Sequence, residues 1–429
     1  MGLYNLKYNS VVITGGGFGF VDGNASSNLS VEFALAYKEL GFSPIIIPQN
    51  PSLSDQEASY GSYRGIEYSY PLKRKNIVAG YGGWRNSVNY RLGVLINPLL
   101  TGWFIWRRRK TISHVFSQTL RPTTLAILGV ACRFSGLPLV YHLVEEPWSL
   151  TAQADLTGWR RLLRALQVLP PVIFLYALVL RFLVTKVACI TDQLMELLRR
   201  LGYSRYQLLY LPNVRYLAGE NSVEVNPEMP KSYDDPFFNL PYLLYSGQVS
   251  AGKESFRPLF EALRKLNADG GRVALRIYGG GHPDAVSRVC KLIEEADVHR
   301  WVRYFGFVDR NTLAEAQRNA FLCLLLKRDV AFNRYNFPTK LMDYLVNKKP
   351  VLMSNLELHN KYFTNKFDAL IVCPDSVDEI HDALMWSLLK PEQLNIIGNR
   401  GGEILRKEFC AVNHVRELLK SCRGVGYGD

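Results

Sequence analysis

Thr339 and Asp343 stand four residues apart in the run NRYNFPTKLMDYLVNKKPVLMS, Asn333 to Ser354, a spacing that sets two side chains on one helix face. A helix start that follows a loop leaves backbone N–H groups unpaired, and such groups at the positive end of a helix bind phosphate. A ligand with phosphate on the N–H groups of Thr339 and Lys340 would offer a sugar hydroxyl to the Asp343 carboxylate, which is the shape of a nucleotide. The same spacing fits an amphipathic helix whose Leu341, Met342 and Leu345 fill a core, and the pattern alone leaves both readings open. Pro338 suits the first helical position, Lys348 and Lys349 suit the cation-favouring end, and Pro350 ends the helix so that PVLMS enters a sheet.

The elements around this run alternate between strand and helix. NSVVIT reads as a strand, GGGFGFVDGN as a glycine-rich loop, Ala25 to Leu40 as a helix closed by Gly41, and PIIIP as a second strand. This is the β-α-β opening of a doubly wound sheet. A dinucleotide fingerprint needs a small residue where Phe20 stands and an acid where Pro48 and Gln49 follow the second strand, so NAD-type binding is set aside. Gly15, Gly16 and Gly17 still lie at the C-terminal edge of a sheet, where ligands of such folds collect. TISHVFSQTL to GLPLVYHLVEEPW, then KVACITDQLMELLRRLGY and LLYLPNVRYL, complete a first series. Leu217 to Leu240, rich in Pro and acids, reads as a linker. LLYSGQVSAGKES opens a second series with a strand and a phosphate-type loop. It continues through a helix from Phe256 to Asn267, the strand VALRIYGGG, VRYFGFVD, the opening run, ALIVCP, a helix from Ser376 to Leu389 and a last helix near Val412 to Ser421.

The chain has 429 residues, more than one growing core accommodates, so two domains are expected. The 48% hydrophobic and 21% charged residues exclude wholesale disorder. Seven single cysteines, without CxxC spacing, argue against structural zinc and a disulfide framework and for a reducing compartment. MGLYNLKYNS lacks the pattern of a signal peptide, which points to the cytoplasm. Residues 1–213 hold 22 Lys and Arg against 11 Asp and Glu, while residues 214–429 hold 29 against 27. The excess of positive charge therefore belongs to the first half, which calls for an anionic partner there. The basic residues do not interleave with a known nucleic-acid module, so an anionic membrane surface is the expected partner and nucleic acid is not.

LGVLINPLLTGWFIWRRRK, Leu92 to Lys110, joins an apolar stretch with Trp103 and Trp106 to four consecutive basic residues. Pro98 and Gly102 interrupt it, and it is too short to span a bilayer. Tryptophans beside basic residues suit a membrane interface; a buried helix with a solvated basic end fits equally. The apolar run from Val168 is interrupted by Pro170, Pro171 and Arg181 and leads directly into KVACIT, so a helix packed on the sheet is expected. Residues 51–90 read as an extended excursion between sheet elements.

FPTKLMDYL followed by KKPVLMS resembles the nucleotide-sugar signature of retaining glycosyltransferases of the two-domain GT-B fold (group one type, glycosyltransferase family four), which commonly read Pro-x-Lys-Leu-x-Glu-Tyr and then Gly-Lys-Pro-Val. Pro338, Lys340, Leu341, Tyr344, Lys349, Pro350 and Val351 match; Asp343 replaces the Glu and Lys348 the Gly. The resemblance implies an α/β protein of two Rossmann-like domains facing a central cleft. The first, 1–216, would take the acceptor side and carry the membrane-surface features; 217–240 would be the linker, 241–410 the nucleotide-sugar domain and 411–429 a helix crossing back. It further implies that Lys253, five residues past Gln248 in the loop opened by Gly247, holds the donor diphosphate as a catalytic residue. Gly279, Gly280 and Gly281 would let the backbone near the ligand, Phe305, Gly306 and Phe307 would read the base, and Tyr335, Phe337, Pro338, Thr339, Lys340 and Asp343 would complete the donor site. Glu145 matches the family's acceptor-side acid.

Three positions depart from the family: Gln248 stands for an Arg, Tyr335 for the first Glu of a paired motif, and Val144 for a His. His142, two residues earlier on the same strand face, either substitutes for that His or is a core histidine. The implied activity is transfer of a sugar, with retention and without metal or cofactor, from a UDP- or GDP-type donor to a lipid-linked or polymeric glycan. The enzyme would sit peripherally at the cytoplasmic membrane face. The alternative is a catalytically silent homologue that binds or assembles.

Overall fold

The computed structural model describes residues 9–15, 25–50, 58–72, 84–119, 121–145, 169–217, 236–250 and 252–423. The chain divides into two compact units: Met1–Leu217 with Tyr335–Phe337 and Cys410–Asp429, and Ala218–Arg334 with Pro338–Phe409. Most of the linker stretch lies outside the described residues; Pro236–Asn239 at its end is a short 3-10 turn.

The first unit is built on eight strands: β1 (Ser10–Gly15), β2 (Ser43–Pro48), β3 (Tyr60–Tyr63), β4 (Ile66–Ser69), β5 (Ile112–Ser117), β6 (Leu139–Leu143), β7 (Lys186–Cys189) and β8 (Leu208–Tyr210). Their order is β3-β4-β2-β1-β5-β6-β7-β8, parallel except for the β3–β4 hairpin. Residues 60–69 of the expected excursion thus extend the sheet edge. Central parallel strands are covered on both faces and need unbroken apolar runs, and Val11, Val12 and Ile13 are fully buried. The C-terminal helix Ala411–Arg423 belongs to this unit, with Val412, Val415 and Leu418 in the same core as Phe33 and Tyr37 of the helix Ala25–Glu39.

Two expectations for this unit change in detail. Pro98 does not interrupt the segment that begins at Leu92, which is part of one helix, Trp84–Arg107, as far as Arg107. A single proline removes one backbone bond, here to the carbonyl of Val94, and a long helix absorbs that loss. The apolar run after Val168 is helical from residue 169 and widens into a π-helix at Leu175–Leu183. It packs against the helix Pro122–Ser135, where a Cβ on Gly129 would lie 2.7 Å from Leu183 Cβ.

The second unit holds six parallel strands: β9 (Tyr242–Ser246), β10 (Ala274–Tyr278), β11 (Val302–Gly306), β12 (Leu322–Leu325), β13 (Val351–Ser354) and β14 (Leu370–Val372). Their order, β11-β10-β9-β12-β13-β14, is the 3-2-1-4-5-6 of doubly wound nucleotide-binding sheets, whose switch point lies between the first and fourth strands. The helix of the opening run is Thr339–Val346, with Pro338 as its extended cap rather than its first turn. The helix Pro391–Glu408 was not anticipated; Gly398, Gly401 and Gly402 let it approach Lys348 and Leu345 closely.

Candidate functional site

In the second unit the switch point falls between the ends of β9 and β12, and the loops leaving these strands carry Gly247 to Glu254 and Lys327 to Pro338. Three strand ends interlock first. Gly247 N–H donates to the Tyr278 carbonyl (3.0 Å), Gly279 N–H to Gly306 (2.7 Å) and Val249 N–H to Gly280 (2.9 Å). A Cβ on Gly279 would stand 1.9 Å from the Gly247 carbonyl oxygen, and one on Gly281 2.7 Å from that of Val249. Only Gly280 of the three glycines has open space beside it. The expected reason for this glycine run, close approach to a ligand, therefore fits Gly280 alone; the other two are small so that loop backbones can touch. Tyr304 Oη donates to the Gly279 carbonyl (2.8 Å), Phe305 stacks on Tyr278 at 4.8 Å, and Phe307 is 84% exposed.

Next to this edge sits an ionic cluster. The Glu254 carboxylate lies 3.4 Å from Lys340 Nζ and 3.5 Å from Lys327 Nζ, and all three side chains are buried. Tyr245 Oη donates 2.6 Å to the Gln248 carbonyl and lies 3.2 Å from Glu254 Oε1, while Lys340 Nζ rests 3.8 Å over the Tyr245 ring. Burial pulls the Lys340 ammonium down to about 8, with Glu254 opposing and Lys327 reinforcing that shift. Burial works to raise the Glu254 carboxyl, but the two lysines outweigh it and hold the group below its ordinary value. Two cations face one anion, so the cluster carries a surplus positive charge, which a bound anion would neutralise.

Lys253 is half-buried beside Glu254, and its carbonyl accepts from Arg328 N–H (3.0 Å) and Asn333 Nδ2 (2.9 Å), tying the β9 loop to the segment after β12. Gln248 is exposed. At Thr339–Val346 no side chain caps the N-terminus, Thr339 and Asp343 are half-exposed, the Lys340 side chain turns into the ionic cluster, and Leu341, Met342, Tyr344 and Leu345 are buried. The core reading of the pattern is realised on the buried face, and Thr339 and Asp343 stand on the other one. Lys348, which stands where the family has Gly, takes φ +51°, the left-handed backbone that favours glycine.

The candidate residues separate by unit. Gly247, Gln248, Lys253, Gly279 to Gly281, Phe305 to Phe307, Pro338 to Lys340 and Asp343 fall in the second; Gly15, Glu145, Tyr335 and Phe337 fall in the first. Gly16 and Gly17 lie outside the described residues. Gly15 ends β1 against Gln118, where a Cβ would come to 3.0 Å. Ser30 Oγ donates to Gln118 Oε1 (2.6 Å), Gln118 Nε2 to His142 Nδ1 (3.1 Å), and His142 Nε2 to the Leu211 carbonyl (2.9 Å). His142 is fully buried, and burial lowers it to about 4. It is a satisfied core histidine. Glu145 lies half-buried just past β6, and Asn213 Nδ2 donates to the Phe337 carbonyl (2.7 Å).

Glu254, Lys327 and Tyr245 escaped the sequence reading. A signal existed in FLCLLLK, where a cation follows directly on an apolar run at the ligand-binding edge of the sheet. Among the described residues no group of three or more His, Cys, Asp or Glu could hold a metal ion.

Two parallel-sheet α/β units, the second with the nucleotide-binding strand order, define a GT-B glycosyltransferase fold. Solved structures agree over the whole chain. The Anabaena protein Alr3699/HepE in complex with UDP superimposes with TM-score 0.63 at 12% identity, covering 97% of this chain and 100% of that one. Sucrose-phosphate synthase from Thermosynechococcus elongatus gives 0.64 at 13%, with 97% and 100% covered. The apo lipopolysaccharide outer core galactosyltransferase WaaB gives 0.57 at 12%, with 97% and 99% covered. No curated protein sequence matches the chain. Residues 237–403 match the family Glycosyl transferases group 1, and the chain as a whole has the GT-B fold.

Proposed function

We infer that this protein is a glycosyltransferase that takes a nucleotide-diphospho-sugar of UDP or GDP type and transfers the sugar, with retention, to a lipid-linked or polymeric glycan. The observation that carries the donor half is the surplus cation of the Lys340–Glu254–Lys327 cluster at the switch point, beside Lys253 and the uncapped helix start at Thr339. Diphosphate needs fixed cations and backbone donors together. In this reading Lys253 and Lys340 neutralise the leaving diphosphate, Asp343 accepts from the ribose hydroxyls, the Tyr304 to Phe307 edge receives the base, and no metal is required. Retention means that the acceptor hydroxyl attacks from the face the diphosphate leaves, with Glu145 on the acceptor side. The Anabaena protein Alr3699/HepE, solved in complex with UDP, shares the fold, and residues 237–403 match Glycosyl transferases group 1, which together support the donor class.

The acceptor half rests on the first unit, whose helices expose Trp103 and Trp106 beside Arg107, Arg109 and Lys110. This suits an enzyme held peripherally at the cytoplasmic face of a membrane. Among the described residues no helix is long and apolar enough to cross one. Calorimetry with UDP and GDP, followed by transfer assays over a panel of sugar nucleotides, tests the reading; failure to bind any nucleoside diphosphate overturns it. A second reading, a homologue that binds nucleotide but does not transfer, draws on Gln248, Tyr335 and Val144. Tight nucleotide binding without turnover or donor hydrolysis across the panel would favour it.

A further inference from the structure

Leu92, Leu95, Leu99, Trp103 and Trp106 recur every three or four residues along the helix Trp84–Arg107, and each is 44–57% exposed. A stripe of that period normally faces a core. Beside it, the helix Pro122–Ser135 presents Val130 at 42% and Phe134 at 82% exposed. The two helices touch at Gly102, where a Cβ would stand 3.0 Å from Ala131 Cβ. Above that contact a groove of about 470 Å³ opens between the stripes, within the size range of small-molecule sites, about 300–1,000 Å³. Leu99, Trp103, Trp106, Ile127, Val130 and Phe134 line it, with the small residues Gly102, Ala126 and Ala131 between them. The only polar side-chain atoms among these residues are the two indole N–H groups. A sugar or nucleotide would lose its hydrogen bonds there, whereas a hydrocarbon chain would lose none.

Cations mark the end of the groove. Arg107 lies 5.1 Å over the Trp103 ring and Arg109 5.1 Å over the Trp106 ring, and Lys110 and Arg133 are exposed nearby in sequence on the two helices' ends. A third helical segment packed on Pro122–Ser135 exposes Leu169, Ile173, Leu178 and Phe182. An apolar slot, a cationic end and apolar flanks match one amphiphile with an anionic head. We propose that the groove holds a single hydrocarbon chain of an anionic membrane lipid drawn from the bilayer, with its phosphate on Arg107 and Arg109. The proposal rests on the membrane-side reading above and deepens it: the first unit does not merely adsorb to the surface but takes one chain out of it.

The test uses the full chain with phosphatidylglycerol carrying brominated acyl chains, which quench tryptophan on contact, dispersed in nonionic detergent. Flotation on phosphatidylglycerol vesicles runs in parallel. Wild type is compared with Ala126→Phe, which fills the groove, and Val130→Glu, a substitution at an exposed position that places a charge in it. Both variants keep the tryptophans and the basic run. Expected are saturable quenching at one lipid per protein in wild type, a loss of affinity of about ten-fold or more in both variants, equivalent to displacing about two methylene groups, and flotation retained by all three. Variants that quench like wild type overturn the proposal. Wild type that floats without saturable quenching overturns it and leaves the membrane reading standing; wild type that does neither ends both. A wild-type dimer that both variants dissociate, with lipid affinity unchanged, overturns it by assigning the groove to a second copy of the chain.

Discussion

Tyr344 Oη accepts the backbone N–H of Ser246 at 3.1 Å and lies 3.0 Å from Ser246 Oγ, so the buried face of the helix Thr339–Val346 holds the last residue of β9 just before the Gly247 loop turns. A motif tyrosine thereby serves as a positioning residue for the loop that carries Lys253. Tyr344→Phe leaves the Ser246 N–H buried without that partner, at a cost of about 1–3 kcal/mol. A lower urea midpoint and weaker nucleoside diphosphate binding are expected together; unchanged values of both would remove the role.

Lys253→Ala is expected to weaken UDP or GDP binding by about 1.5–3 kcal/mol, the range for charge-assisted hydrogen bonds. Titration calorimetry reads this directly. A variant that binds like wild type shows that Lys253 does not reach the diphosphate.

The cluster predicts opposite pH trends for binding and for stability. Lys340 is lowered to about 8 from the ordinary 10.5, so between these values the folded state holds fewer protons than the unfolded one. Its contribution to stability therefore rises with pH through that window. Diphosphate favours the ammonium, so nucleotide affinity should instead fall as pH climbs past about 8. Lys340→Gln should flatten both trends relative to wild type. Parallel slopes in variant and wild type would show that other groups set them.

Gly279→Ala and Gly280→Ala should part company. The first brings a Cβ to 1.9 Å from the Gly247 oxygen at φ +131°, strain beyond what the strand ends can absorb, and poor expression or a large loss of thermal stability follows. The second meets nothing within 4 Å and should leave stability within about 0.5 kcal/mol while reducing donor affinity if the ligand passes there. Equal stabilities for the two variants would contradict the interlocked strand ends.

For the membrane reading, each Lys or Arg near an anionic leaflet is worth about 1 kcal/mol. Arg107→Glu with Arg108→Glu should therefore abolish flotation on anionic vesicles at low salt, and high salt should do the same to wild type. Equal recovery of mutant and wild type in all conditions would exclude the surface.

The sequence by itself determined the two doubly wound units, because parallel strands covered on both faces must be written as runs such as VVIT, LLYS and LCLL, and the helices between them as stripes. It also offered Thr339 and Asp343 as candidates, because their four-residue spacing is local, and Lys253 through the family resemblance. It could not place Glu254 against both Lys327 and Lys340, separated by 73 and 86 residues, since an ion pair of that reach is set by strand order alone. Nor could it separate the roles of the glycines at 279 to 281, which depend on whether a neighbouring loop or open space lies beside each Cα. His142 is the clearest case: one histidine on a strand offers the same letter for catalysis and for core. Only the packing of Gln118 and the Leu211 carbonyl around its two nitrogens, with water excluded, made it a neutral structural residue.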